Sequence, residues 1–260
     1  MPPLLLDSIT DAGPNAAGRV VVSGSHGGLY PAALASAAGV RAVIFNDAGR
    51  GKDDAGVAGV LALGCPAAAA DCMTCRIGDA ADMVANGVVS VVNEAAQALG
   101  LKAGASVAEA DWALASGAPT LGGLATPNEA RSEMVVDGQA VILLDSAALV
   151  GPEDEGAIIV TGSHGGLIGG DPSRALKARA RFAVFNDAGV GKDRVGLGRL
   201  PALDQIGVAA VTVDCMSARI GEARSAIETG VISAVNSSAE RSGCAIGQFL
   251  GDAIGALPPR

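Results

Sequence analysis

Short aliphatic runs alternate with alanine-rich stretches along most of the chain, and each change of period marks a change of element. Leu4–Leu6, Val20–Ser23, Ala42–Phe45, Ala67–Ala70 and Val88–Val92 have the length and β-branched or small apolar content of buried strands. Between them, residues 31–38, 55–63, 76–85 and 94–99 read as helices, with Thr74 and Asn93 placed as N-caps and Gly39, Gly64, Gly87 and Gly100 as stops. A further helix is expected near 105–116, and again near 246–256. Strands that alternate with helices imply parallel strands joined by crossovers, hence an open α/β sheet covered on both faces.

The same succession returns in the second half, with polar residues and glycines in matching places. Gly24-Ser25-His26-Gly27-Gly28 recurs as Gly162-Ser163-His164-Gly165-Gly166, and these stretches hold the only histidines in the chain. Phe45-Asn46-Asp47-Ala48-Gly49-x-Gly51-Lys52-Asp53 recurs from Phe185 to Asp193. Asp71-Cys72-Met73 with Arg76-Ile77-Gly78 recurs as Asp214-Cys215-Met216 with Arg219-Ile220-Gly221. The chain therefore reads as an internal duplication: two pseudo-symmetric parallel-sheet units of Rossmann-like or flavodoxin-like type. The first spans 1–115, a Gly- and Pro-rich linker spans 116–133, and the second spans 134–260. Asp137-Gly138 between Met134–Val136 and Gln139–Leu144 signals a type I′ hairpin, so the second unit begins with an added edge strand.

Nearly every retained polar residue falls just after an expected strand, the edge at which open α/β sheets bind ligands. His26 and His164 are the candidate general acid or base, with Asp47 and Asp187 as orienting carboxylates and Lys52 and Lys192 as electrophiles. Gly27, Gly28, Gly165 and Gly166 would present backbone N–H groups to an anion, beside Ser25 and Ser163. Asn46 and Asn186 belong to the same loops. Arg76 and Arg219 fall in the first turn of a helix, where a cation opposes the macrodipole, which calls for a partner: Asp71 and Asp214, or a substrate carboxylate. Each of these assignments has a plainer competitor in a tight turn, a cap or a satisfied core histidine. The Gly-Lys-Asp spacing departs from a phosphate-binding P-loop, so a nucleoside triphosphate is not expected.

Composition narrows the partners. Net charge is −9, and the 18 basic residues are scattered among 27 acidic ones, which disfavours nucleic acid. Half the residues are hydrophobic but only 2% aromatic, so the cores must be built from Ala, Val, Leu and Ile. No apolar run approaches the ~18 residues that span a bilayer, and the expected setting is cytoplasmic. The five cysteines argue against a disulfide framework. Cys72-Met73-Thr74-Cys75 has a redox-motif spacing, but the second unit reads Cys215-Met216-Ser217-Ala218, so the retained pair is Cys72 and Cys215. No metal-ligand spacing stands out, and no cofactor or metal is expected.

These residues lead to an enzyme acting on a small anionic or amide-bearing metabolite in a cleft between the units, with a hydrolase using His and Asp as the first expectation. Loops of both units would form one composite site, and its asymmetry would lie in differing positions such as Tyr30 against Ile168 and Cys75 against Ala218. The paired Cys72 and Cys215 support an alternative. In two-lobed α/β architecture with one thiol per lobe the chain resembles the aspartate/glutamate racemase superfamily, although that family's Cys-Asn-Thr and Gly-Cys-Thr motifs are missing. The resemblance implies a cofactor-free racemase or isomerase with the two thiols as opposed bases. A non-catalytic small-ligand-binding protein is the third reading, and a homo-oligomer is compatible with all three.

Overall fold

The computed structural model describes residues 2–115, 124 and 130–258. The first unit runs β1 (Leu4–Leu6), β2 (Val20–His26), α1 (Leu29–Ala37), β3 (Ala42–Asn46), α2 (Ala58–Ala62), β4 (Ala67–Ala70), α3 (Ala80–Asn86), β5 (Val89–Val92), α4 (Glu94–Ala98) and α5 (Val107–Ala115). The second runs β6 (Arg131–Val136), β7 (Gln139–Leu144), β8 (Ile158–His164), β9 (Phe182–Asn186), α6 (Arg199–Gln205), β10 (Ala209–Val213), α7 (Ala223–Thr229), β11 (Ile232–Val235), α8 (Ser237–Arg241) and α9 (Leu250–Gly255). A five-stranded sheet has the order β1-β2-β3-β4-β5, and a six-stranded sheet the order β11-β10-β9-β8-β7-β6. The protein is thus an α/β fold of two similarly organised units, as an internal duplication would give.

Alternation along each strand sorts the side chains into two cores per unit. In the first, Val21, Val43, Phe45 and Ala69 face α1 and α2 through Ala32, Ala35 and Val60, while Val22, Ile44 and Ala68 face α3 and α5 through Met83, Val107 and Leu114. The second unit repeats this, with Phe185 and Ile159 against Leu200 and Leu203 on one face and Val160 and Val184 against Leu250 and Ile254 on the other. Small side chains from alanine-rich β4 let helices pack closely, which is how a chain with few aromatics still fills its interior.

The sheets are parallel-dominated but mixed. β5 is antiparallel to β4, and β11 to β10. The reason is local: the Asp71 N–H donates to Val88 O and the Asp214 N–H to Val231 O, so the connection leaves and returns at one edge of the sheet instead of crossing over. Thr74 takes part in this return rather than capping a helix. Its hydroxyl donates to Asp71 O and accepts from Val88 N, and the N-cap of α3 is Asp79. Asn93 does cap α4. The hairpin forms as the sequence implies, with Asp137 and Gly138 both at positive φ (46° and 83°) and β6 on the sheet edge. β6 starts at Arg131, inside the span assigned to the linker, most of which lies outside the described residues.

The two units diverge just beyond their Ser-His loops. After the first loop the chain forms α1, whose Pro31 fits a first turn. After the second, Gly169 and Gly170 adopt positive φ and Pro172 comes next, so only short 3-10 turns form.

The units meet through their strand C-terminal loops, and the contacts are reciprocal. The Lys52 N–H donates to Cys215 O at 2.8 Å, and the Lys192 N–H to Cys72 O at 2.7 Å. Arg219 pairs with Asp53 at 2.6 Å, and Arg76 with Asp193 at 2.7 Å. Ala48, Ile77, Ala188 and Ile220 close a small apolar core between them. Gly51 must be glycine, because a Cβ there would lie 2.4 Å from Cys215 O.

A buried asparagine fastens each sheet at its far end. The Asn93 amide accepts from Ala67 and Ala96 N–H and donates to Leu63 and Cys65 O, and Asn236 makes the matching set. Asn93→Ala is expected to lower unfolding free energy by about 2–4 kcal/mol, since four buried backbone groups lose their partner; chemical denaturation with an unchanged m-value checks it.

Candidate functional site

A cavity of about 790 Å³ opens where the two Ser-His loops face each other, and Ser25, His26, Ser163 and His164 all line it. Both histidines reach it from the ends of β2 and β8, where a register irregularity precedes each. That irregularity breaks strict alternation, so serine and histidine of one motif can share the same space. The Ser-His loops of both units thus line one shared cavity.

Each imidazole folds back over its own loop. The Gly28 N–H donates to His26 Nδ1 and the Gly166 N–H to His164 Nδ1, both at 3.2 Å. A Cβ at Gly28 would lie 2.8 Å from the His26 ring, so the glycine is there to admit the imidazole. Gly27 and Gly165 direct their N–H groups to Asn46 O and Asn186 O. The glycine amides are thus already engaged, and do not form the anion cradle the sequence suggests. With Nδ1 acting as acceptor, the neutral ring carries its proton on Nε2 and offers an N–H to the cavity. Burial pushes the His26 pKa down to about 4. Burial also holds His164 well below the usual range, with the charges of Arg199 and His26 adding to the effect. Both are neutral donors at neutral pH.

The remaining retained residues do other work. Asn46 and Asn186 are buried and brace the loops, accepting from Ala48 and Ala188 N–H and donating to Cys75 O and Ala218 O. Asp47 accepts from the Cys72 N–H and Ser90 hydroxyl, and Asp187 from the Cys215 and Gly189 N–H groups; neither lines the cavity. Lys52 reaches across the junction to Ser217 O and the Thr229 hydroxyl, while Lys192 pairs with Asp82 at 3.1 Å. Burial opposes ionisation of Asp82, yet the Arg76 N–H, Lys192 and Asn86 together hold its pKa below the usual range. Arg76 and Arg219 precede α3 and α7 in loops rather than sitting in a helical first turn. Their partners are Asp82 and Asp193, and Asp53 and Glu222, rather than Asp71 and Asp214. Of this pair only Arg219 lines the cavity.

Cys72 and Cys215 do not line the cavity either. The Gly-Lys loop of the opposite unit docks on each, and burial with the neighbouring Asp47 or Asp187 charge pushes each thiol up to about 12. Asp47, Asp71 and Cys72 bring three donor atoms within 4.8 Å of one another, as do Asp187, Asp214 and Cys215. A cation there would compete with the N–H bonds those carboxylates accept and with two protonated thiols.

Several cavity residues escaped the sequence pattern. Ser8 and Ser146 line it, and the Ser25 and Ser163 hydroxyls accept the N–H groups of Ile9 and Ala147, leaving each hydroxyl proton free to point elsewhere. Leu29 and Leu34 of α1 join Tyr30 in an apolar wall with Ile168 on the second unit's side, so the differing pair Tyr30 and Ile168 named from the sequence does line the cavity. Arg199, the first residue of α6, also lines the cavity. The signal that would have found it is a cation opening an apolar helix, the same reasoning applied to Arg76 and Arg219.

No protein-family model, curated protein or solved structure matches the chain.

The histidines give a pH signature. Unfolded imidazoles take up a proton near pH 6.5 whereas His26 does so only near 4, so its contribution to stability is full above 6.5 and falls as pH drops from 6.5 towards 4. The loss is on the order of 3 kcal/mol for His26, and lies above the range in which Asp82 and Asp154 titrate. NMR titration of the imidazole Cε1–H signals should place the His26 transition near 4 and the His164 transition well below that of a free imidazole.

Proposed function

We propose that the protein holds a small anionic or amide-bearing molecule in the cavity between its units, with an electron-rich oxygen of that molecule between the two imidazole N–H groups. The observation that carries this reading is the pair of neutral histidines, one from each unit, lining one cavity with Nδ1 turned away to the backbone. A buried N–H donor without a fixed protein acceptor is well suited to an oxygen that carries or develops negative charge. The cavity volume of about 790 Å³ is within the range of small-molecule sites, and the α1 side chains favour a ligand with an apolar body.

If a reaction follows binding, the histidines serve it as electrophilic donors rather than as bases, because Nδ1 already accepts a hydrogen bond and burial disfavours the imidazolium. Hydrolysis fits this chemistry through the oxyanion it builds, which the two imidazole N–H groups would stabilise. Asp47, Asp187, Lys52 and Lys192 have no part in it, since they stand at the unit junction. A Cys72/Cys215 racemase is disfavoured by the docked loops over both protonated thiols.

A metabolite screen by thermal shift, with titration of hits into His26→Ala and His164→Ala, tests the reading. Each single change should weaken binding by about tenfold or more, the worth of one buried hydrogen bond, and the double variant should be little worse than the poorer single if both rings hold one oxygen. Hits that bind both single variants with unchanged affinity would refute it.

A further inference from the structure

Among the charged residues of the cavity's second-unit wall, Arg199 is the buried one, and the matching place in the first unit holds no cation. It is 3% exposed, and its backbone N–H donates to Gly165 O where, in the first unit, the Val60 N–H donates to Gly27 O. An apolar side chain thus occupies the matching place. The guanidinium is anchored on carbonyls: Nε on His164 O at 3.2 Å and Gly166 O at 3.1 Å, and Nη1 on Arg174 O and Ala175 O. It also lies 5.1 Å over the Phe185 ring.

What it lacks is a counter-charge. Among the described residues no carboxylate lies within ion-pair distance of Arg199, and Nη2 has no protein hydrogen-bond partner. The other arginines lining the cavity are already paired, Arg219 with Asp53 and Glu222 and Arg174 with Asp11, and Lys177 is exposed with its ammonium on Ala148 O. A guanidinium taken out of water without an anion is costly, and carbonyl dipoles and a ring face return only part of that cost. Burial pulls the Arg199 pKa down to about 10, in the same sense, yet leaves the group charged at neutral pH. The missing charge is one negative unit, at the His164 end of the cavity, since Arg199 Nε bonds His164 O itself.

We propose that Arg199 is a specificity-determining residue for a carboxylate: the cavity takes a monocarboxylate with an apolar body, the carboxylate on Arg199 Nη2 and the His164 N–H, the body against Leu29, Tyr30 and Leu34 of α1. This rests on the binding role given above to the cavity, and narrows its ligand from an anion or an amide to a carboxylate. It also gives the ligand one direction in a site whose histidines are equivalent. A single buried cation balances a monoanion; a phosphate dianion would leave surplus negative charge in the same place.

The test uses the full chain and matched probes: hexanoate, octanoate and phenylacetate against their primary amides, measured by calorimetry and by the histidine Cε1–H signals. The carboxylates should bind at least about tenfold tighter than the amides, the gain of a charge-assisted over a neutral hydrogen bond, and Arg199→Gln should abolish that preference while leaving amide binding in place. Amides that shift both imidazole signals as strongly as carboxylates would overturn the carboxylate assignment and leave the binding role intact. Probes of both kinds that shift neither imidazole would overturn both. A carboxylate preference that survives in folded Arg199→Gln would also overturn the assignment. Should that variant not fold, the wild-type Arg199 side-chain nitrogen signals decide: movement with carboxylate and not with amide supports the proposal, and no movement with either refutes it.

Discussion

The reciprocal docking of each Gly-x-Gly-Lys-Asp loop onto the opposite unit's Asp-Cys-Met turn is the constraint on which the site depends. Each loop ends a parallel strand, and a sheet's strand ends are only as well placed as the loops attached to them. Here the two loops hold each other: backbone N–H groups of Lys52 and Lys192 cross the junction, two arginine–aspartate pairs flank them, and an Ala-Ile quartet is sealed inside. The ion pairs are half exposed and contribute modestly. The backbone bonds and the steric demand at Gly51 set the register, and it is this register that brings His26 and His164 to one cavity.

That constraint accounts for what the sequence revealed and what it concealed. Strand and helix positions were legible because alternation and alanine-rich periodicity are local, and the hairpin because Asp-Gly has its own backbone preference. Repetition of Asn-Asp-Ala-Gly-x-Gly-Lys-Asp was equally legible, but its meaning was not. An interface related by a pseudo-twofold needs the same residues on both sides just as a composite active site does, and a sequence does not distinguish these demands. Asp47, Asp187, Lys52, Lys192, Cys72 and Cys215 stand at the junction, whereas the Ser-His pairs line the cavity. The antiparallel turn of β5 and β11 was hidden as well, since it arises from backbone bonds, Asp71 N–H to Val88 O and Asp214 N–H to Val231 O, that no side-chain pattern expresses.

Arg199 shows the converse. It has no retained counterpart, and a search for repeated polar residues passes over it. Its meaning comes from burial, from the carbonyls that fix it and from the lack of a neighbouring carboxylate among the described residues, none of which composition or spacing expresses. Symmetric residues build the scaffold and the paired donors. Positions that differ between the units, the α1 wall and Arg199, give the cavity its apolar side and its charged side.

The register of the junction loops is what closes the cavity around the two histidines and keeps both out of water. Gly51→Val tests it directly, since a Cβ there meets Cys215 O, and neither Gly51 nor Cys215 lines the cavity. With secondary structure confirmed by circular dichroism, NMR titration of this variant should show both imidazole pKa values rising towards the solvent value near 6.5, as the cavity opens to water. Imidazoles that stay as depressed as in the parent chain would show that their environment is set within each unit, and would contradict the account.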